Sequence, residues 1–204
     1  VLKYLAVDFD IKEEDFQKTS ANNLTERLYK EVRDTFSRKT ETIAKQAFPV
    51  IKNVFEQRGE MFKNIVVPFT DGKRAYNVVA NLEKTYKSEG EELIRAYEKS
   101  IMLAHIDDAW KEHLREMDDL KQSVQNATYE QKDPLLIYKF ESFNLFKSMV
   151  DKINKNVVST LMKGQIPFEA PEEVKQAEEK RTDLSKMRTG RSDAPAAHTN
   201  QAPR

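Results

Sequence analysis

Two histidines, two acidic pairs and a few hydroxyls are the side chains of this sequence whose types could do chemistry. His105 and His113 stand eight residues apart in one helix-forming stretch. Two zinc ligands on a helix need a spacing of three or four residues, and eight is neither. His113 therefore reads as a surface or interfacial residue. Asp107-Asp108 and Asp118-Asp119 could suggest acid/base carboxylates, but adjacent residues on a helix point in different directions, so they read as a solvated face. Ser123, Ser142 and Ser148 lack both a neighbouring base pattern and a G-x-S-x-G turn. The absence of cysteine excludes disulfides, thiolate zinc sites and a cysteine nucleophile. Five glycines are present, and neither G-x-x-x-x-G-K-[ST] nor G-x-G-x-x-G occurs, so neither common phosphate-cradling loop is encoded. These residues assemble no catalytic constellation, and no metal or cofactor site is expected.

Tyr129 is of another kind. It sits in a polar loop beside Glu130, Gln131 and Lys132, away from any apolar stripe. Two readings stay open: a staple folded back over helix ends, or an exposed aromatic tip that grips or slides along a partner. An aromatic contact suits the second task because it is non-directional and tolerant of sequence.

The elements around that loop must position it. One long amphipathic helix is expected from about Glu91 to Gln125, with Leu103, Ile106, Trp110, Leu114, Met117, Leu120 and Val124 recurring at three and four residues. A second begins at Asp133-Pro134, an N-cap followed by proline at the first helical position, where the missing N–H costs nothing. Its stripe is Leu136, Phe140, Phe143, Phe146, Val150, Ile153, Val157 and Leu161, and Gly164 and Pro167 stop it. The short loop makes the two helices antiparallel neighbours. Trp110, Leu114, Met117, Phe140, Phe143 and Phe146 are expected to pack the pair together.

Upstream, residues 1–22 suggest an extended entry and a short helical turn. A helix should start at Asn23, with Glu26 at capping-box spacing, kink or restart at Pro49, and end at Arg58-Gly59. Asp71-Gly72, between Ile65-Val66-Val67-Pro68-Phe69-Thr70 and Lys73-Arg74-Ala75-Tyr76-Asn77-Val78-Val79, signals a β-hairpin with a type I′ turn over about 64–80. Pro68 marks its strand as an edge, and the hairpin must lie on the helices to be stable. From Glu169 large apolar residues almost vanish, so residues 169–204 are expected to be a disordered linker or tail. The fold class is mainly α. A long antiparallel helical hairpin (92–168) packs with a smaller helical domain (1–91) that carries the β-hairpin.

The 34 basic and 34 acidic residues of the 204 cancel, and Lys and Arg are spread evenly, which disfavours an RNA-binding module. Mean hydropathy is −0.73, and no run of 18 apolar residues exists to cross a membrane. The first residue is Val1, and no secretory leader is read at this end, so a piece of a longer protein is expected.

Asp107-Asp108-Ala109-Trp110-Lys111-Glu112-His113-Leu114-Arg115-Glu116-Met117-Asp118-Asp119-Leu120, then Tyr129-Glu130-Gln131-Lys132-Asp133-Pro134-Leu135 and Tyr138-Lys139-Phe140-Glu141-Ser142-Phe143, closely resemble the C-terminal part of the SecA family, the ATPase motor of the bacterial preprotein translocase. The resemblance is specific over about 92–166 and looser over 1–91. It implies a helical wing domain, then the two-helix finger of the helical scaffold domain, then a flexible linker. Tyr129 falls on the family's fingertip tyrosine, and with Thr128, Glu130, Gln131 and Lys132 it would touch preprotein or the SecYEG channel.

The further partners implied are the remaining SecA domains, which carry ATP and Mg, and a second copy of the chain. The location implied is cytoplasmic and peripheral at the inner membrane. Asn126-Ala127-Thr128 replace the family's Leu-Arg-Gly before the tyrosine, Ile137 stands where a Glu is usual, and the Asp-Gly hairpin looks like an insertion. The family's P-loop domains, C-terminal cysteine motif and preceding long helix are not in this sequence. The expected role is a non-catalytic lever, with a scaffold or adaptor as the alternative. An apolar stripe left uncovered would make the chain self-associate or fold its wing over the stripe.

Overall fold

The computed structural model describes residues 1–125 and 133–167. Two short helices, α1 (Leu2–Leu5) and α2 (Glu13–Lys18), lead into the long α3 (Ala21–Arg58). Strands β1 (Asn64–Thr70) and β2 (Ala75–Asn81) follow, then α4 (Leu82–Lys87), α5 (Glu91–Gln125) and α6 (Pro134–Lys163).

The N-cap of α3 is Ser20, not Asn23: the Ser20 hydroxyl accepts the Asn23 N–H at 3.4 Å. Serine at this spacing satisfies an orphan donor of the first turn, and Asn23 becomes that donor. The helix also runs through Pro49 without restarting. Proline removes one N–H there, but Ile43 and Ala44 before it and Ile51 after it are all buried, so the core holds both halves in line.

The two strands pair antiparallel from Asn64↔Asn81 to Thr70↔Ala75. Four residues therefore join them, and the expected two-residue type I′ turn is not formed. Only Gly72 takes a positive φ, +83°. The Asp71 carboxylate closes the loop instead, accepting the Lys73 and Arg74 N–H groups at 2.9 and 2.7 Å.

Thr70 exchanges both backbone hydrogen bonds with Gln165 on the outer side of β1. Alternate residues of a strand point their N–H the same way, so Pro68 puts its missing donor on that outer edge. The next hydrogen-bonded pair would be Pro68 with Pro167. Neither has an N–H, which confines the third strand to a single bridge.

A helix that the periodicity of the sequence did not signal, α4, starts where the Asn81 side chain accepts the Lys84 N–H at 3.0 Å. An Asn at the end of a strand was the available cue. The hairpin, α3 and α4 close over the first third of α5. Ile43, Ile51, Ile65, Phe69, Val78, Leu82, Leu93, Tyr97 and Ile101 form the continuous buried core. Within it Phe69 stacks on Tyr97 with ring centroids 4.3 Å apart.

Candidate functional site

Tyr97 roots the helical pair in this core. It is 1% exposed, and its hydroxyl donates to the Thr160 carbonyl at 3.1 Å across to α6. Burial pushes its pKa well above the usual phenol value, so it stays a neutral donor. Gly164 leaves the space that the Tyr97 hydroxyl fills, because a Cβ there would overlap it. Lys39 of α3 adds a second tie, donating to the Leu161 and Met162 carbonyls at the end of α6. Cations suit the negative end of a helix, yet burial still lowers this amine to about 8.

Farther out, His105 Nε2 lies 2.9 Å from the Thr160 hydroxyl. Burial first, then the neighbouring Arg74, lower the His105 pKa. His113 meets Phe146 edge-on with centroids 6.1 Å apart. Contacts from 97 to 160 and from 113 to 146 run in opposite chain directions, so the helices are antiparallel, as expected. At 1.5 Å per residue, α5 extends roughly 36 Å beyond Ile101 to Gln125.

The seam of the pair is not the stripe read from the sequence. His113 (6% exposed), Val124, Met149, Val157 and Thr160 are buried, and Met117 is half-buried. Trp110 is 47% exposed and Phe143 65%, and Leu114, Phe140 and Phe146 are exposed as well. The packing role expected of Trp110, Leu114, Phe140 and Phe143 is therefore corrected. Phe146 keeps one contact, with His113.

The reason is angular. At 100° per residue, Trp110 and Leu114 stand about 60° and about 100° around α5 from His113. Phe146 and Phe143 stand about 60° and about 120° around α6 from Met149. Offsets of the same sense on antiparallel helices turn both sets to one side of the pair. Leu103 and Ile106 extend this open apolar face toward the core. The hairpin domain does not cover it.

Several of the other sequence candidates have structural partners. Asp107 pairs with Lys111, and Asp108 with Arg74 at 3.1 Å, tying the hairpin loop to α5. Both pairs are exposed and add little stability. Ser123 and Ser142 donate to carbonyls of their own helices. His105 and His113 have separate surroundings, and among the described residues no His, Cys, Asp and Glu group could hold a metal. Tyr129, Thr128, Glu130, Gln131 and Lys132 lie outside the described residues, between the ends of α5 and α6, as does the expected tail from 169. Tyr97, Thr160 and Gly164, which fasten the pair, were not singled out, since partners more than sixty residues apart leave no local pattern.

A family model described as the SecA wing and scaffold domain matches residues 4–165. The chain is 52% identical over 177 residues to the protein translocase subunit SecA of Phocaeicola vulgatus, an overlap covering 87% of this chain and 16% of that protein. It is 50% identical over 198 residues to that of Bacteroides thetaiotaomicron, covering 92% and 18%. For that of Porphyromonas gingivalis strain W83 the figures are 44% over 212 residues, 98% and 19%. The chain thus spans less than a fifth of the length of these relatives. No solved structure matches it. Among the described residues no helix is long and apolar enough to cross a membrane.

Proposed function

The chain belongs to the SecA family, as its wing and scaffold region, and on that premise we propose that α5 and α6 act as a non-catalytic lever in preprotein translocation. The observation that carries this reading is the asymmetry of the pair. Its base is fixed by Tyr97, Gly164 and Lys39 at the buried core, while its far half carries one open apolar face. A rod clamped at one end transmits motion to the other. ATP hydrolysis, with its Mg, belongs to other parts of the longer relatives. Tyr129, which with Thr128, Glu130, Gln131 and Lys132 lies between α5 and α6 in the sequence, touches preprotein or the SecYEG channel. The protein works in the cytoplasm, peripheral at the inner membrane. The open face of Trp110, Leu114, Phe140 and Phe143 favours a second reading, a scaffold that seats other segments of the motor or a second copy.

One crosslinking experiment separates the two. Tyr129→Cys is placed in the full-length motor otherwise free of cysteine, with Lys155→Cys as the mid-helix control. Crosslinks from 129 to the channel or to a stalled preprotein, absent from 155, support the lever. Silence at 129 in an active motor leaves the pair a scaffold.

A further inference from the structure

A groove of about 880 Å³ lies between α3 and β1. Its apolar walls are Val50, Ile51 and Val54 of α3 and Ile65, Val66 and Pro68 of β1. The volume falls within the roughly 300–1,000 Å³ of sites that bury a small ligand. Val50 is half exposed, so the apolar wall is open.

Charge sits at one end of the groove only. Along α3 its lining runs from Thr35, Arg38 and Lys39 to Val50, Ile51 and Val54, so both cations stand at the start of that wall. No Asp or Glu lines it. Arg38 pairs with Glu31 at 3.5 Å, an exposed and therefore weak tie. Lys39 is half-buried and has no carboxylate partner among the described residues. Two of its three N–H donors go to the Leu161 and Met162 carbonyls, which accept hydrogen bonds without cancelling the charge. Burial alone lowers its pKa to about 8, with no anion to raise it. An ammonium in this position is stabilised by any ligand that brings a negative charge to it.

We propose that the groove binds a free long-chain carboxylate, its head at Lys39 and its hydrocarbon chain along Val50, Val54, Val66 and Pro68. The carboxylate accepts the third Lys39 donor in a charge-assisted hydrogen bond. The lengths agree. Lys39 to Val54 spans about 22 Å of helix, room for a headgroup and the ~15 Å that an acyl chain covers in one leaflet of a ~30 Å bilayer core.

The strand edge disfavours a peptide in the same place. Val66, Pro68 and Thr70 turn their backbone toward the outer edge; Thr70 is taken by Gln165 and Pro68 has no N–H. An extended peptide would therefore leave buried backbone groups unpaired, whereas a hydrocarbon chain carries none. This inference does not depend on the lever reading.

The test titrates the full 204-residue chain with hexadecanoate kept below its micelle concentration. Calorimetry should give one saturable site, and the backbone amide resonances of Val50 and Val66 should shift while those of Leu114 and Phe143 stay in place. Lys39→Gln, which keeps donors for the two carbonyls but drops the charge, should weaken binding about tenfold. Val50→Glu, on the open wall, should weaken it at least as much. Hexadecyltrimethylammonium should bind worse than hexadecanoate. Equal binding of the two amphiphiles, or full binding by a folded Lys39→Gln, would overturn the proposal and leave a merely apolar patch. Shifts at Leu114 and Phe143 instead of Val50 and Val66 would overturn it as well. Binding to phosphatidylglycerol vesicles but not to hexadecanoate would overturn it in favour of a membrane surface. Val50 and Val66 resonances that move with protein concentration and not with hexadecanoate would overturn it in favour of a second copy. Unmoved resonances throughout would overturn it outright.

Discussion

The base of the helical pair and its projecting half are made from the same two helices, yet they are held by different means. At the base, Tyr97, Leu93 and Ile101 are fully buried under the hairpin, α3 and α4, and side-chain hydrogen bonds cross to α6. Beyond His105, the buried positions of α5 and α6 form a single line between the two helices, and the hairpin reaches α5 only through the exposed Arg74–Asp108 pair. The comparison teaches that the pair is anchored at its root and held together beyond it by one seam. Two helices alone can bury one seam, whereas the elements around the root of α5 bury Leu93, Tyr97 and Ile101 completely and leave only the face of Glu91, Arg95 and Lys99 exposed.

The sharpest way to break the comparison is to remove its anchor. Phe69→Ala deletes the ring stacked on Tyr97 and should cost about 3–5 kcal/mol in urea unfolding. Gly164→Ala forces a methyl against the Tyr97 hydroxyl and should cost about 1–3 kcal/mol in the same assay. In the projecting half, Val124→Ala should cost about 1.5 kcal/mol, two methyl equivalents of buried area. Phe143→Ser on the open face should stay within about 0.5 kcal/mol.

That last variant should nevertheless change the solution mass. The unaltered chain is expected to self-associate through the open face, and Phe143→Ser to shift it toward monomer in sedimentation equilibrium. A strictly monomeric parent at all concentrations would show that the face is not sticky. The smallest effect concerns His105. Its folded pKa lies below the ordinary 6.5, so its stabilising contribution is complete above that value. The contribution is lost as pH falls toward the lower folded value. The stability difference between the parent chain and His105→Gln should shrink between pH 7.5 and pH 5, measured by urea midpoints.

Much of this architecture could be read directly. The α5 stripe, the Asp133-Pro134 start of α6, the stop at Gly164 and a hairpin around Asp71-Gly72 all rest on local rules. Each residue's own backbone preference or its neighbours at three and four positions decide them. The same holds for the family: the Trp110 to Leu120 run and the Asp133-Pro134-Leu135 run carried the resemblance.

What the chain alone did not decide is which side of each stripe meets a neighbour. Periodicity says that Trp110, Leu114 and Phe143 share faces with apolar residues, not that His113 and Met149 take the seam. A 60° rotation of a helix changes its burial pattern without changing its sequence pattern, and only the packing of all elements sets that rotation. Ser20 rather than Asn23 capped α3, and Pro49 stayed helical, because buried residues on both sides outweighed one lost hydrogen bond. The hydroxyl of Tyr97 in the space left by Gly164, and two prolines facing each other at a strand edge, join residues far apart in the chain. Such pairs exist only once the tertiary structure has brought them within a few ångströms.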